Sequence, residues 1–269
     1  MKRLPLYLFI LLPSIILHSN AMASATTIWK SITSFFTPDE KKIKSETIPT
    51  TTSTPSITIK NYSGSITVNG WDKPEILLKT EIKGPQEKIS STHVSHKNAH
   101  ATLMIETKTT SAETALPVIY TLSVPEKSSL IIEQETGALS ITDIYGPLTV
   151  QTDNGSINIE NAQESVAAKA PRGSISLDVA RLLPHASLFL EAGKGISLSL
   201  PDRTNANIEA QSSNGFVTID FNVTLKTKTV KINKKEWNLQ RRFIEGTIGT
   251  GGPSIVLSTI DRSITVSKR

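Results

Sequence analysis

The chain has no cysteine among its 269 residues. That excludes a disulfide framework, a Cys-ligated zinc site, a thiol nucleophile and a lipidated N-terminal cysteine. Histidine is scarce, with five residues, and aromatics make up only 5%. No apolar run reaches the roughly 20 residues that a membrane-spanning helix needs. No G-x-S-x-G nucleophile turn, Walker loop or dinucleotide fingerprint is present, so no cofactor is expected. Neither sign of charge dominates: the formal net charge is +5. Without residues 1–23 it falls to +3, from 27 Lys+Arg against 24 Asp+Glu. A nucleic-acid partner is therefore not expected, because such domains carry a clear basic excess.

What is plentiful is Thr (32), Ser (31) and Ile (31), together 94 positions. Thr and Ile are β-branched, which stiffens χ1 and favours a pleated surface over a helix. These counts disfavour a helical bundle and an ordinary α/β enzyme. The 38% hydrophobic content is enough for one sizeable core.

The N-terminus reads as an address. Lys2 and Arg3 precede an apolar run from Leu4 to Leu17, and small residues follow at Ala21, Ala23 and Ala25. This is the three-part pattern of a signal peptide over residues 1–23, so the chain is expected to be exported: periplasmic, cell-surface or secreted. An uncleaved anchor is the alternative. Residues 24–55 change character. Ile28, Trp29, Ile32, Phe35 and Phe36 suit one side of a short amphipathic helix, and Lys41 to Pro55 reads as a flexible Thr/Ser/Pro linker. The aromatic cluster is expected to dock on the domain, with contact to a partner or lipid surface as the alternative.

From residue 55 to 269 the sequence repeats itself. With the glycine of each station as zero, aliphatic residues recur at −7, −5, +2 and +4. Gly137 has Leu130, Ile132, Leu139 and Ile141; Gly155 has Leu148, Val150, Ile157 and Ile159. Gly64, Gly173 and Gly215 follow suit. Gly195 has its second pair one residue early, and Arg262 replaces the glycine of the last station. Each pair alternates with period two, so each is a short strand with one buried face. Glycine between the pairs is expected to supply turns with positive φ. One rung cannot bury its own apolar side, so rungs must stack. The expected fold is all-β: a single-domain solenoid of short strands with Gly turns, the alternative being a β-sandwich of hairpins. Glu75 to Lys83, His93 to Lys97, Ala101 to Lys108 and Val118 to Val124 read as longer strands that interrupt the repeat and widen or cap its first part. Asn222 to Gly246 is a second insertion.

The run Ser63-Gly64-Ser65-Ile66-Thr67-Val68-Asn69-Gly70-Trp71-Asp72, then Tyr120-Thr121-Leu122-Ser123-Val124-Pro125, then the row of Gly stations and Gly249-Thr250-Gly251-Gly252, resembles the bacterial putative-adhesin family of β-repeat envelope proteins, also called toastrack domains. The resemblance covers about residues 55–269. It implies an all-β repeat fold and an exported or envelope location, and it supplies no catalytic residues.

Three groups of residues bear on chemistry. His93, His96 and His100 fall within eight residues, but in a strand His93 and His96 point to opposite faces. A polar loop between strands is the simpler reading than a metal site. Glu160, Asp178 and Asp220 share offset +5, where a stack would align them along one edge. Aligned carboxylates bind calcium or act on polysaccharides, although an acid at a strand end is ordinary. The second insertion holds Lys226, Lys228, Lys231, Lys234, Lys235, Arg241 and Arg242 against Glu236 and Glu245, a local +5, with Trp237 and Phe243 interleaved. That suits a contact for an anionic envelope polymer or lipid headgroup, with a solvated strand face as the plainer alternative.

The sequence thus points to a non-catalytic, adhesin-like binding or structural protein. A polysaccharide-active β-helix enzyme and an envelope-stress regulatory component are the alternatives. The expected partner is an envelope polymer or protein, with peripheral membrane contact through the basic insertion. The oligomeric state is not legible.

Overall fold

The computed structural model describes residues 40–99, 101–109, 116–226 and 242–269. In chain order the elements are β1 (Glu40–Pro49), β2 (Ser56–Trp71), β3 (Glu75–Gly84), α1 (Gln86–Ser91), β4 (Thr92–Ala99), β5 (Thr102–Thr109), β6 (Val118–Pro125), β7 (Ser129–Thr136), β8 (Leu139–Thr142), β9 (Leu148–Asn154), β10 (Ile157–Ala162), β11 (Val166–Ala170), β12 (Ile175–Val179), β13 (Ser187–Ala192), β14 (Ile196–Leu200), β15 (Ala206–Ser212), β16 (Val217–Ile219), β17 (Val223–Leu225), β18 (Phe243–Ile248), β19 (Ser254–Thr259) and β20 (Ile264–Lys268). The fold is the expected stack of paired short strands. The four long strands read in the first interruption are β3, β4, β5 and β6.

Each rung gives one strand to a front sheet and one to a back sheet. The front sheet runs β1, β3, β6, the second half of β2, β8, β10, β12, β14, β20, β16. The back sheet runs β4, β5, the first half of β2, β7, β9, β11, β13, β19, β15, β18, β17. From β6 to β16 and from β5 to β15 every ladder is parallel. The aliphatic stations face one another between the sheets: Ile57, Ile59, Ile66 and Val68 of β2 are all at most 1% exposed, as are Ile255, Leu257, Ile264 and Val266 of β19 and β20. Burial of these side chains stabilises the fold by about 1.5–3 kcal/mol each before chain entropy is charged.

Spatial order departs from chain order at both ends. β2 lies between the β5/β6 rung and the β7/β8 rung. β19/β20 lies between β13/β14 and β15/β16. The first interruption therefore supplies a full rung as well as caps. Antiparallel strands close the stack: β3 and β1 on the front, β4 at one end of the back, β18 and β17 at the other. Between β3 and β4, α1 buries Ile89.

Two sequence expectations need correction. Glu40–Pro49 is not linker: it pairs with β3 over ten positions. Its charges mislead because it is an edge strand, where Lys and Glu blunt further pairing, and only Ile48 is buried. The station glycines are also not mainly a matter of positive φ. Gly64 (121°) and Gly137 (129°) have it, but Gly155, Gly173 and Gly215 do not. What they share is close approach between rungs. A β-carbon at Gly173 would sit 1.5 Å from the carbonyl oxygen of Gly155, and one at Gly155 would sit 1.9 Å from that of Gly137. At the irregular station, register places Lys194, not Gly195, over Gly173, and its amide donates to the Gly173 carbonyl at 2.8 Å. The close approach shifts to Gly193, where a β-carbon would lie 1.8 Å from the Pro171 carbonyl oxygen, while one at Gly195 would lie 3.2 Å from the nearest atom. Arg262 occupies the same level as Lys194 on the neighbouring rung, and Gly215 supplies the close approach on its other side, where a β-carbon would lie 2.3 Å from the Arg262 carbonyl carbon.

Candidate functional site

Most corners where a rung turns from back to front are held by buried polar side chains; those of β11 and β13 carry Ala170 and Ala192 instead. Gln134 Nε2 donates to the carbonyls of Gly64 (2.9 Å) and Thr136 (2.8 Å). Thr152 donates to Gly137, and Ser212 and Thr259 both donate to Arg262. At the first corner the hydroxyl of Thr107 donates to Asn61 Oδ1 at 2.9 Å and lies 2.6 Å from the hydroxyl of Tyr120. Burial pushes the Tyr120 phenol up to about 12, partly opposed by that Thr107 bond. These groups satisfy turn carbonyls that would otherwise be stranded next to an apolar core. Their offset, three residues before the glycine, was open to inspection in the sequence.

The outward residues of the front sheet make one long row. Register sets Thr121, Thr67, Ser140, Asn158, Ser176, Ser197, Thr265 and Thr218 side by side on consecutive strands. The row is uncharged, and its members are half-buried or exposed. Strand spacing of about 4.8 Å gives it a regular rise.

The next row holds the three predicted carboxylates. Glu160 and Asp178 stand on adjacent strands β10 and β12, beside a register shift that follows Ile159. Ser199 on β14 and Ser267 on β20 then intervene before Asp220, the second because β20 is inserted between β14 and β16. Each of the first two acids has a protein partner. Asn158 Nδ2 donates to Glu160 at 2.8 Å, and Arg269 lies 3.3 Å from Asp178. Among the described residues no group of three or more His, Asp or Glu is placed to hold a metal ion.

The back face is different. One outward row alternates in charge: Glu106, Lys60, Glu133, Gln151, Lys169, Glu191. Lys60 meets Glu133 at 2.8 Å, and Lys169 meets Glu191 at 3.1 Å. The hydrogen bond to Glu133 raises the Lys60 ammonium above its usual range. Beside it runs a partly apolar row in which Ile131 and Phe189 are exposed. Where these rows reach the corner, Lys60, Tyr62, Glu106, Glu133, Glu135 and Asp153 rim a depression of about 360 Å³, with buried Gln134 at its wall. The sequence reading did not single out this face.

The remaining predicted groups are dispersed. His93 and His96 lie on β4; His96 sits 3.6 Å from Glu46, whose carboxyl is held low chiefly by its bond to Lys44. His100 lies outside the described residues. So do Lys228, Lys231, Lys234, Lys235, Arg241 and Trp237. Of the basic insertion's ends, Lys226 pairs with Glu245 at 2.8 Å and Arg242 donates to the Ser213 carbonyl at 2.8 Å. Residues 1–39, which carry the expected signal and aromatic segment, are also outside. No helix among the described residues is long and apolar enough to cross a membrane.

The model of the Toastrack DUF4097 family matches residues 24–259. No curated protein matches the chain in sequence. Among solved structures, a putative cell adhesion protein from Clostridium sporogenes is similar with a TM-score of 0.50 and 12% identity, covering 86% of this chain and 100% of that one. A putative adhesin from Bacteroides fragilis (TM-score 0.31, 10% identity, 86% and 98% covered) and a putative lipid binding protein from Parabacteroides distasonis (TM-score 0.28, 12% identity, 86% and 97% covered) are also matched. At the identity of the first, the likeness is one of fold.

Proposed function

The chain belongs to the Toastrack DUF4097 family, and from that premise we propose that it is a non-catalytic, adhesin-like protein of the bacterial envelope that binds an extended, hydroxyl-rich polymer. The observation that carries this reading is the uncharged Ser/Thr/Asn row on the front sheet. Its hydroxyls donate and accept hydrogen bonds, and a stacked sheet holds them in place, so little side-chain entropy is lost on contact. Such a row suits a neutral saccharide chain lying across the strands. Export is supported by the N-terminal pattern of Lys2, Arg3, the apolar run and the small residues after it. The basic segment from Lys226 to Arg242 would add contact with an anionic polymer or headgroup.

The test is co-sedimentation of purified protein with isolated peptidoglycan and envelope polysaccharide. Replacing Ser140, Ser176 and Ser197 with Lys should reduce binding at least tenfold and leave the melting temperature near that of the parent. Undiminished binding would remove the front row from the mechanism. Charge reversal of Lys234, Lys235, Arg241 and Arg242 tests the basic segment in the same assay.

A second reading, action on polysaccharide, draws on Glu160 and Asp178 standing on adjacent strands. Against it, both acids already have protein partners. A reducing-end assay with and without calcium decides it: release that Glu160→Gln and Asp178→Asn abolish would establish catalysis.

A further inference from the structure

The inserted β19/β20 rung has a consequence at the corner opposite the glycines. β14 lies against β20, and β15 lies beyond β19. Loop 201–205, which joins β14 to β15, must therefore climb two rungs, about 10 Å, instead of one. Loop 249–253 feeds β19 in beneath it. Together with loop 180–186 they line a half-open cavity of about 410 Å³.

The charge of this cavity is one-sided. Arg181 and Arg203 line it, and no Asp or Glu does. Among the described residues neither arginine forms an ion pair, whereas Lys41, Lys60, Lys169 and Lys226 all do. The rest of the wall is rigid. Thr204 closes a tight turn onto the Pro201 carbonyl at 2.7 Å. Asn205 Oδ1 accepts the Thr250 amide at 2.9 Å, and Asn207 Nδ2 donates to the Gly252 carbonyl at 2.9 Å. Gly249 (59°), Gly251 (80°) and Gly252 (149°) all have positive φ, so the loop folds back compactly and places no side chain on the wall at Gly251 and Gly252. The amides of Thr250 and Gly251 are already bonded within the protein, so the charge offered to a ligand is that of the two guanidinium groups.

We propose that this cavity is a binding site for a phosphoryl group carried on a small polar moiety such as a glycerol or a sugar. A guanidinium binds phosphate oxygens in bidentate fashion, and two of them without a competing carboxylate match a dianion. The volume exceeds that of phosphate alone and leaves room for the attached group. Its lining residues belong neither to the front row nor to the Lys-rich insertion, so it stands or fails independently of the function proposed above.

The experiment is an NMR titration of the full chain with inorganic phosphate and with glycerol 3-phosphate, with sodium chloride matching the ionic strength. Shifts confined to loops 180–186, 201–205 and 249–253, and at least tenfold weaker binding by the double variant Arg181→Gln, Arg203→Gln, are expected. Both arginines are exposed, so that variant should melt with the parent. The Arg181→Lys, Arg203→Lys variant should retain intermediate affinity. Co-sedimentation with phosphatidylcholine vesicles, with and without phosphatidic acid, separates the sources. Capture that needs both phosphatidic acid and the arginines identifies a lipid headgroup; response to glycerol 3-phosphate alone identifies a soluble or polymer-borne phosphate. No shift with either phosphate, or shifts unchanged in the Gln variant, overturns the proposal.

Discussion

The hydroxyl of Tyr120 lies 2.6 Å from that of Thr107, and Tyr120 is fully buried. Because the phenol titrates near 12 in the fold and near 10 when unfolded, the unfolded chain loses this proton first as pH rises. Its contribution is intact below pH 10 and is lost between about 10 and 12, amounting to roughly 2–3 kcal/mol. Urea denaturation across that range should show the decline. Tyr120→Phe should cost about 1 kcal/mol at neutral pH and make the alkaline slope shallower. An unchanged slope would show that other groups govern it.

The glycine ladder predicts an unequal response to a single methyl group. Gly173→Ala places a β-carbon 1.5 Å from a backbone oxygen and should destabilise by about 3 kcal/mol or more. Gly195→Ala meets nothing closer than 3.2 Å and should cost under about 1 kcal/mol. Chemical denaturation of the two variants compares them directly. Equal costs would mean that backbone freedom, not spacing, selects glycine.

The rung order predicts what truncation does. Removing residues 254–269 withdraws strands that β13, β14, β15 and β16 all pair with. That variant should lose its cooperative transition in circular dichroism. Among the described residues, removing those up to 49 takes away only the edge strand β1 and should leave a cooperative, less stable protein. A cooperative melt from the first variant would contradict the intercalated order.

Asp178 and Arg269 form a half-exposed pair. Asp178→Asn should shift stability by less than about 1 kcal/mol, read by thermal melting. A larger loss would mark a structural role that the geometry does not show.

Much of the architecture was readable because period two and a repeating glycine are local signals. Ile157, Ile159, Ile175 and Leu177 announce their own burial by alternation. The order of rungs was not readable, since nothing local tells Ile255 that it will stand between Leu188 and Ile208. The cavity at Arg181 and Arg203 depends on that order, and these arginines lie in segments without periodicity. The strand β1 was missed because edge charge resembles linker charge. Asp178 and Asp220 share an offset, yet Ser199, legible at the intervening station, and Ser267, placed there by the rung order, separate them in space.

The placement of β19/β20 also bears on vectorial synthesis. When a chain emerges N-terminus first, β15 and β16 appear before the strands that must separate them from β13 and β14. Those four strands cannot settle directly against one another without shutting out the later rung. A slot one strand wide in each sheet has to stay open until residues 254–268 arrive. The corresponding half of the stack can close only once those residues are available, whereas β2 precedes both of its neighbouring rungs and can act as a template for each.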